Sequence, residues 1–284
     1  MDTAQELQRI GQLVPTHALL RAGATSHQLT VAVRRGEIIR VRQGWYTLPD
    51  VHSELARAAR VGGRLACVSA ARQHGLAARG TPLHVEVAQN GARLRDPANY
   101  RHRLRGGVRV HWRRNRGDGD EFCLSVRAAL RQMATCATPE LTVAAVDSAL
   151  RLKVLTPEQW HREVERLPRR LRRLLLRVDA RAESITESVV RFRLAMLGID
   201  AQPQVQIRGV GRVDLLIGEA LVIEVDGWEY HSDRDQFELD RRRDARLSAL
   251  GYRVLRFSYR QVFERWSEVR AAILAAIARG DTRC

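Results

Sequence analysis

The stretch that decides the fold is Gly211-Arg212-Val213-Asp214-Leu215-Leu216-Ile217, a turn at Gly218-Glu219-Ala220, then Leu221-Val222-Ile223-Glu224-Val225-Asp226-Gly227. It reads as two apolar strands of a hairpin, carrying three carboxylates where a buried sheet should have none. An unpaired acid in an apolar strand is costly, so it is retained only where it is paired or holds a metal. With that turn, Asp214 falls opposite Glu224, and Asp226 shares a face with Glu224 because strand side chains alternate with period two. Three acids on one sheet face repel strongly without a cation. Such a cluster is how a Mg²⁺ site for phosphodiester hydrolysis is built.

Working outward, a helix is expected over 185–197, stopped by Gly198, with strands near 204–208, 211–217 and 221–226. A second helix over 235–250 ends at Gly251, a strand follows at Tyr252-Arg253-Val254-Leu255-Arg256-Phe257, and a last helix covers 260–278. The order is α-β-β-β-α-β-α, a mixed sheet flanked by helices, and the fold class is α/β of the α+β kind.

That order, with Glu187 on the first helix, Asp214 on one strand and Glu224-Val225-Asp226 on the next, resembles the PD-(D/E)XK nuclease fold. Residues 181–284 are similar to the nuclease-like family related to very-short-patch repair endonucleases. The matching features are Val222-Ile223-Glu224-Val225-Asp226-Gly227, His231, Asp240-Arg241-Arg242-Arg243-Asp244, Leu247 and Gly251 through Phe257. The resemblance implies cleavage of DNA with Mg²⁺ or Mn²⁺, Asp214 and Glu224 ligating the metal with a backbone carbonyl near Val225. Glu187 would hold a second metal or its water. One departure matters: Asp226 stands where the family carries a lysine, so no ammonium can orient water or stabilise the transition state. His231 is then the candidate general base or leaving-group acid. Arg241 or Arg242 would bring positive charge to the phosphate, and Trp228 or Tyr230 would stack on a base.

Each assignment has a plainer competitor. Asp214 reads alternatively as an arginine partner, Asp226 as a cap for the loop at Gly227 or a partner of Arg212, and Glu187 as a capping acid for Ser184. His231 reads equally as a hydrogen-bonded loop histidine. Asp240 and Asp244, one helical turn apart, read as salt-bridged helix support. Trp228 and Trp266 read as core or loop anchors.

Residues 1–49 have winged-helix rhythm: a helix capped by Thr3, a second opened by Pro15-Thr16, and a third over 27–35 with Ser26 as N-cap. Two short strands, Glu37–Arg42 and Trp45–Leu48, follow around Gln43-Gly44. Leu29 and Val33 would face the core, leaving His27, Gln28, Arg34 and Arg35 free to meet a DNA groove and its phosphates. Residues 50–180 form a mixed middle domain, with helices near 53–61 and 67–78, strands at Leu83–Ala88 and Val108–Trp112, and helices near 124–135, 139–152 and 157–167. Residues 1–180 are similar to the winged-helix region and following domain of AbiEi-type antitoxin proteins. Two runs stand out: positions 101–116 hold seven arginines and 166–177 hold six, neither with an acid. They read either as a stripe that neutralises phosphates or as solvated surface.

With 284 residues and a net charge of +16, the chain favours a polyanionic partner. Only Lys153 among its 48 basic residues is lysine, which excludes any mechanism needing an active-site lysine in the C-terminal third. No apolar run approaches transmembrane length and the N-terminus lacks a signal-peptide pattern, so a cytoplasmic chain without membrane contact is expected. The cysteines (Cys67, Cys123, Cys136, Cys284) and the histidines at 74, 84, 102 and 111 show no metal-type spacing. Free thiols and structural histidines are the expectation.

Two functions fit. The first is a metal-dependent DNA endonuclease acting in repair or defence, targeted by a winged helix. It would be a homodimer for a double-strand cut or a monomer for a nick, with room for a partner protein. The second is a DNA-binding regulator or antitoxin, as in toxin-antitoxin systems, whose nuclease fold has lost catalysis.

Overall fold

The computed structural model describes residues 2–49, 53–99, 101–113, 118–226 and 234–283, with the backbone alone for Asp226 and for 234–240. It divides into two compact units: Met1–Gly75 with Arg79–Cys136, and Leu76–Ala78 with Ala137–Cys284. Both mix helices and sheet, so the fold is α+β.

The first unit begins with α1 (Thr3–Ile10), β1 (Val14–Pro15), α2 (Thr16–Arg21), α3 (Ser26–Arg34), β2 (Ile39–Arg42) and β3 (Trp45–Thr47). The strands form an antiparallel sheet in the order β1-β3-β2. The caps lie one residue earlier than expected. Asp2 accepts from the N–H groups of Ala4 and Gln5, and Thr25 forms a capping box with Gln28, so Thr3 and Ser26 are the first helical residues. Leu7, Val14, Leu19, Leu29 and Ile38 fill the core, with Val33 packed at its margin.

The unit continues with α4 (Glu54–Val61), β4 (Arg64–Leu65), α5 (Cys67–Gln73), β5 (Leu83–Ala88), β6 (Val108–Arg113) and α6 (Val126–Cys136). Helix α5 stops short of 78 because Gly75 takes φ +71°, a left-handed conformation that ends a helix. The sheet order is β4-β5-β6, with β5 antiparallel to β4 and parallel to β6. Strand β5 is central and buried on both faces.

The second unit opens with α7 (Pro139–Arg151), α8 (Pro157–Glu165) and α9 (Arg169–Leu175). Helix α9 comes from an arginine run in which Leu171, Leu174 and Leu175 keep helical spacing; it buries Leu175 and leaves Arg169, Arg170 and Arg173 exposed. Then come α10 (Ile185–Ala195), β7 (Ala201–Ile207), β8 (Gly211–Ile217), β9 (Leu221–Asp226), α11 (Arg234–Ala249), β10 (Arg253–Ser258), α12 (Tyr259–Glu264) and α13 (Trp266–Ala278). The expected last helix is two, broken at Arg265 (φ −131°).

The sheet order is β10-β9-β8-β7: an antiparallel meander with β10 added parallel to β9. Strand β9 is apolar on both faces because both are covered. Leu221, Ile223 and Val225 meet Val189, Val190 and Leu194 of α10 and Ile273 of α13, while Val222 meets Leu247 of α11. Ala144 and Leu141 of α7 join the first of these clusters, so the 137–180 segment packs with the C-terminal sheet. Asp147 of α7 fastens it: its carboxylate accepts from Asp179 N–H (2.6 Å), Ser188 Oγ (2.8 Å) and Arg191 (2.8 Å).

Candidate active site

The hairpin register is Leu215↔Ile223, Leu216↔Val222 and Ile217↔Leu221, which carries Asp214 opposite Glu224. The ladder stops there for a chemical reason. The Asp214 side chain, through Oδ2, accepts the Val225 N–H at 2.8 Å. By alternation Asp214 and Glu224 share the face of Leu216 and Val222.

Glu187 reaches the same place from the first turn of α10. Its own N–H donates to Ser184 Oγ, while Oε2 accepts from Glu183 N–H (3.0 Å) and Gln204 Nε2 (2.7 Å). It thus helps cap α10, one residue off the capping-box pattern, and is also buried beside the hairpin acids. Burial raises its pKa, the Asp214 charge adding to the shift while the Glu183 and Gln204 bonds oppose it.

Glu224 is buried as well. Burial, with the Asp214 charge adding to the shift, pushes its carboxyl up to about 7 against the pull of Arg243 and Arg256. The shift is the electrostatic mark of carboxyls crowded without enough positive charge.

The one guanidinium bonded to Glu224 among the described residues is that of Arg243, 3.0 Å from Oε1, which also donates to the Arg212 carbonyl. Arg256 stands opposite Glu224 in the parallel register but is held by Asp244 at 2.6 and 2.8 Å. Arg212, the sequence-level partner for Asp226, pairs with Glu183 among the described side chains. Asp244 supports a neighbouring strand where intrahelical pairing was expected. Arg241 and Arg242 are exposed. Trp266 lies against the core with Arg193 stacked 4.9 Å from its ring centre, an anchor as expected.

Glu187, Asp214 and Glu224 therefore converge. Asp226 lies at the end of β9 with its backbone opposite Ser258, and its side chain is outside the description. Gly227, Trp228, Tyr230 and His231 lie outside the described residues. Val225 contributes its N–H to Asp214. In the first unit Arg34 and Arg35 are exposed, Arg35 lying 3.8 Å from Glu37. The Gln28 amide oxygen accepts from the Thr25 N–H in the capping box.

Two site residues were missed. Arg243 was recoverable: Leu247 is buried, and a residue four before it shares the inward face of α11, where Arg241 and Arg242 do not lie. Gln204 was not. It stands in mid-strand at φ +57°, a left-handed conformation that no local pattern announces. Among the described residues Cys67, Cys123 and Cys136 are free thiols, as expected, and Cys67, His84, His111 and Cys136, which sequence spacing does not connect, come together in the first unit.

Residues 187–277 match the family model REase_MTES_1575, a restriction endonuclease-like family. A comparison with curated proteins gives no match. The C-terminal unit thus carries a nuclease-like domain, whose matched segment runs from Glu187 into α13.

Proposed function

We propose that the chain is a Mg²⁺- or Mn²⁺-dependent DNA endonuclease, its nuclease domain spanning 181–284, in which Glu187, Asp214, Glu224 and Asp226 hold the metal. The observation that carries this reading is the convergence of Glu187, Asp214 and Glu224, with Glu224 raised to about 7. A set of hard carboxylate oxygens suits Mg²⁺, with a Val225 carbonyl as a further oxygen. When bound, the metal would lower the pKa of a water and offset charge on the scissile phosphate.

The chain's own residues do the rest. Val225 N–H fixes the Asp214 carboxylate, and Gln204 orients Glu187. Arg243, paired with Glu224, would bring positive charge to the phosphate, the role that a lysine would otherwise fill. His231, after β9, serves as base or leaving-group acid. Residues 1–49 act as a winged helix, in support of which three helices accompany a small three-stranded sheet whose last two strands follow α3, and Arg34 and Arg35 on and beside α3 face solvent. The AbiEi-like middle region, 50–180 by resemblance, is divided between the two units at Ala137. Cleavage in repair or defence, as a dimer for a double-strand cut, completes the reading.

Labelled duplex, mismatched, flapped and single-stranded DNAs with Mn²⁺ test it. Asp214→Ala and Glu224→Ala should each lose about 10³-fold in cleavage, the several kcal/mol a metal site supplies, while staying folded. Full cleavage by both variants would remove the proposal.

One observation favours the second reading, a DNA-binding regulator or antitoxin with an inert nuclease fold: the Arg243–Glu224 ion pair already neutralises part of the acid cluster. It expects metal-independent promoter binding and no cleavage. Calorimetric titration of Mg²⁺ into wild type and Asp214→Ala separates the two.

A further inference from the structure

The second constellation lies in the first unit and has nothing to do with the carboxylates. Cys67 opens α5, His84 sits on β5, His111 on β6, and Cys136 ends α6. Four elements thus each send one soft or borderline ligand atom to a common point. His84 Nδ1 and His111 Nε2 are 3.1 Å apart, and Cys136 Sγ is 3.8 and 3.9 Å from them. With Cys67 Sγ, all four atoms lie within 4.8 Å of one another.

These separations have a geometric meaning. Zinc bonds of about 2.3 Å to sulfur and about 2.0 Å to nitrogen, set at tetrahedral angles, give edges of about 3.3 Å between nitrogens and about 3.6 Å between nitrogen and sulfur. The three edges among His84, His111 and Cys136 fall within a few tenths of an ångström of those values, and Cys67 Sγ completes the set within 4.8 Å.

We propose that Cys67, His84, His111 and Cys136 bind one zinc-class divalent cation in a closed, four-coordinate structural site. Two thiolates and two neutral imidazoles cancel the charge of the cation, so the occupied site adds no net charge to the interior. Four protein ligands leave no open position, which makes the site structural and not catalytic. The groups around the four ligands are consistent with that use. The Val68 N–H bonds to the Cys67 sulfur and favours its thiolate, and Ser69 Oγ accepts the His84 backbone N–H at 3.1 Å. Cys67 is held at φ +47°, a conformation rare for a residue with a side chain, which the fold maintains while aiming the thiol at the cluster.

Burial pushes the Cys67 thiol up, with Cys136 adding to the shift, and burial together with the neighbouring His111 lowers His84 to about 4.

The test uses the full chain, purified reduced and reconstituted with zinc, then desalted and assayed for metal by mass spectrometry. One equivalent of zinc is expected in the wild type, none in Cys67→Ser or His111→Ala, and one in Asp214→Asn. Retention of a full equivalent by both ligand variants would overturn the assignment. Should the ligand variants fail to fold, Co²⁺ reconstitution of the wild type decides: thiolate-to-cobalt charge-transfer and tetrahedral absorption bands, displaced by zinc, are the expected result. A wild type that holds neither metal, or that carries a Cys67–Cys136 disulfide in its place after anaerobic purification, sinks the proposal.

Discussion

Gln204 holds a strained backbone beside the acid cluster, and the strain is separable from the chemistry. Its φ of +57° costs little for glycine and more for any residue branched at Cβ, whereas its side chain donates to Glu187. Gln204→Gly should therefore leave stability within about 1 kcal/mol of wild type while weakening Mn²⁺-dependent cleavage, because Glu187 loses its orienting donor. Gln204→Val should destabilise by about 1–3 kcal/mol as well. Chemical denaturation beside a cleavage assay checks both, and equal stability loss in the two variants would show that φ at 204 carries no strain. At this scale the sequence was readable wherever a residue broke an apolar pattern. Asp214 and Glu224 announce themselves in that way. Gln204 does not, because a polar residue in a polar-edged strand is unremarkable and its dihedral is set by tertiary contacts.

Helix α7 shows what elements add. It reads as an ordinary amphipathic helix of the middle region, yet it packs on α10, and its Asp147 lies inside the second unit against Arg191 and Ser188. Removing one member of such a buried pair strands the other's charge. Asp147→Ala should cost about 3–5 kcal/mol, measured by urea unfolding, whereas Asp147→Leu with Arg191→Met should recover most of that loss. If the single variant loses under 1 kcal/mol, the pair does not fasten α7. The same logic explains what was legible among the elements. Strands β5, β8 and β9 and helices α7 and α10 were readable from apolar periodicity. Helix α9 was hidden because four of the seven residues in 169–175 are arginine and only Leu175 among them is fully buried. The break at Arg265 was hidden because no glycine or proline marks it. The Cys67, His84, His111 and Cys136 cluster escaped for a related reason: its members come one from each of four elements, so no short spacing exists to be read.

For the whole molecule, charge is the property the sequence states most plainly and locates least. A net charge of +16 implies counterion release on DNA, but the arginines are spread over both units, including exposed Arg34 and Arg35 beside α3 and exposed Arg169, Arg170 and Arg173 on α9. Salt titration can divide them. Each phosphate contact contributes about −0.9 to the slope of log affinity against log salt on duplex DNA. If α3 is the docking element, Arg34→Ala with Arg35→Ala should flatten the slope by about 1.8 and weaken binding at every sequence tested. Because both side chains are exposed, the melting temperature should stay within a degree or two, which separates lost contact from lost fold. Arg169→Ala with Arg173→Ala serves as the counterpart on α9. A slope that flattens there and not at Arg34 and Arg35 would move the DNA-binding surface to the second unit and leave the first unit's helices without a role in targeting.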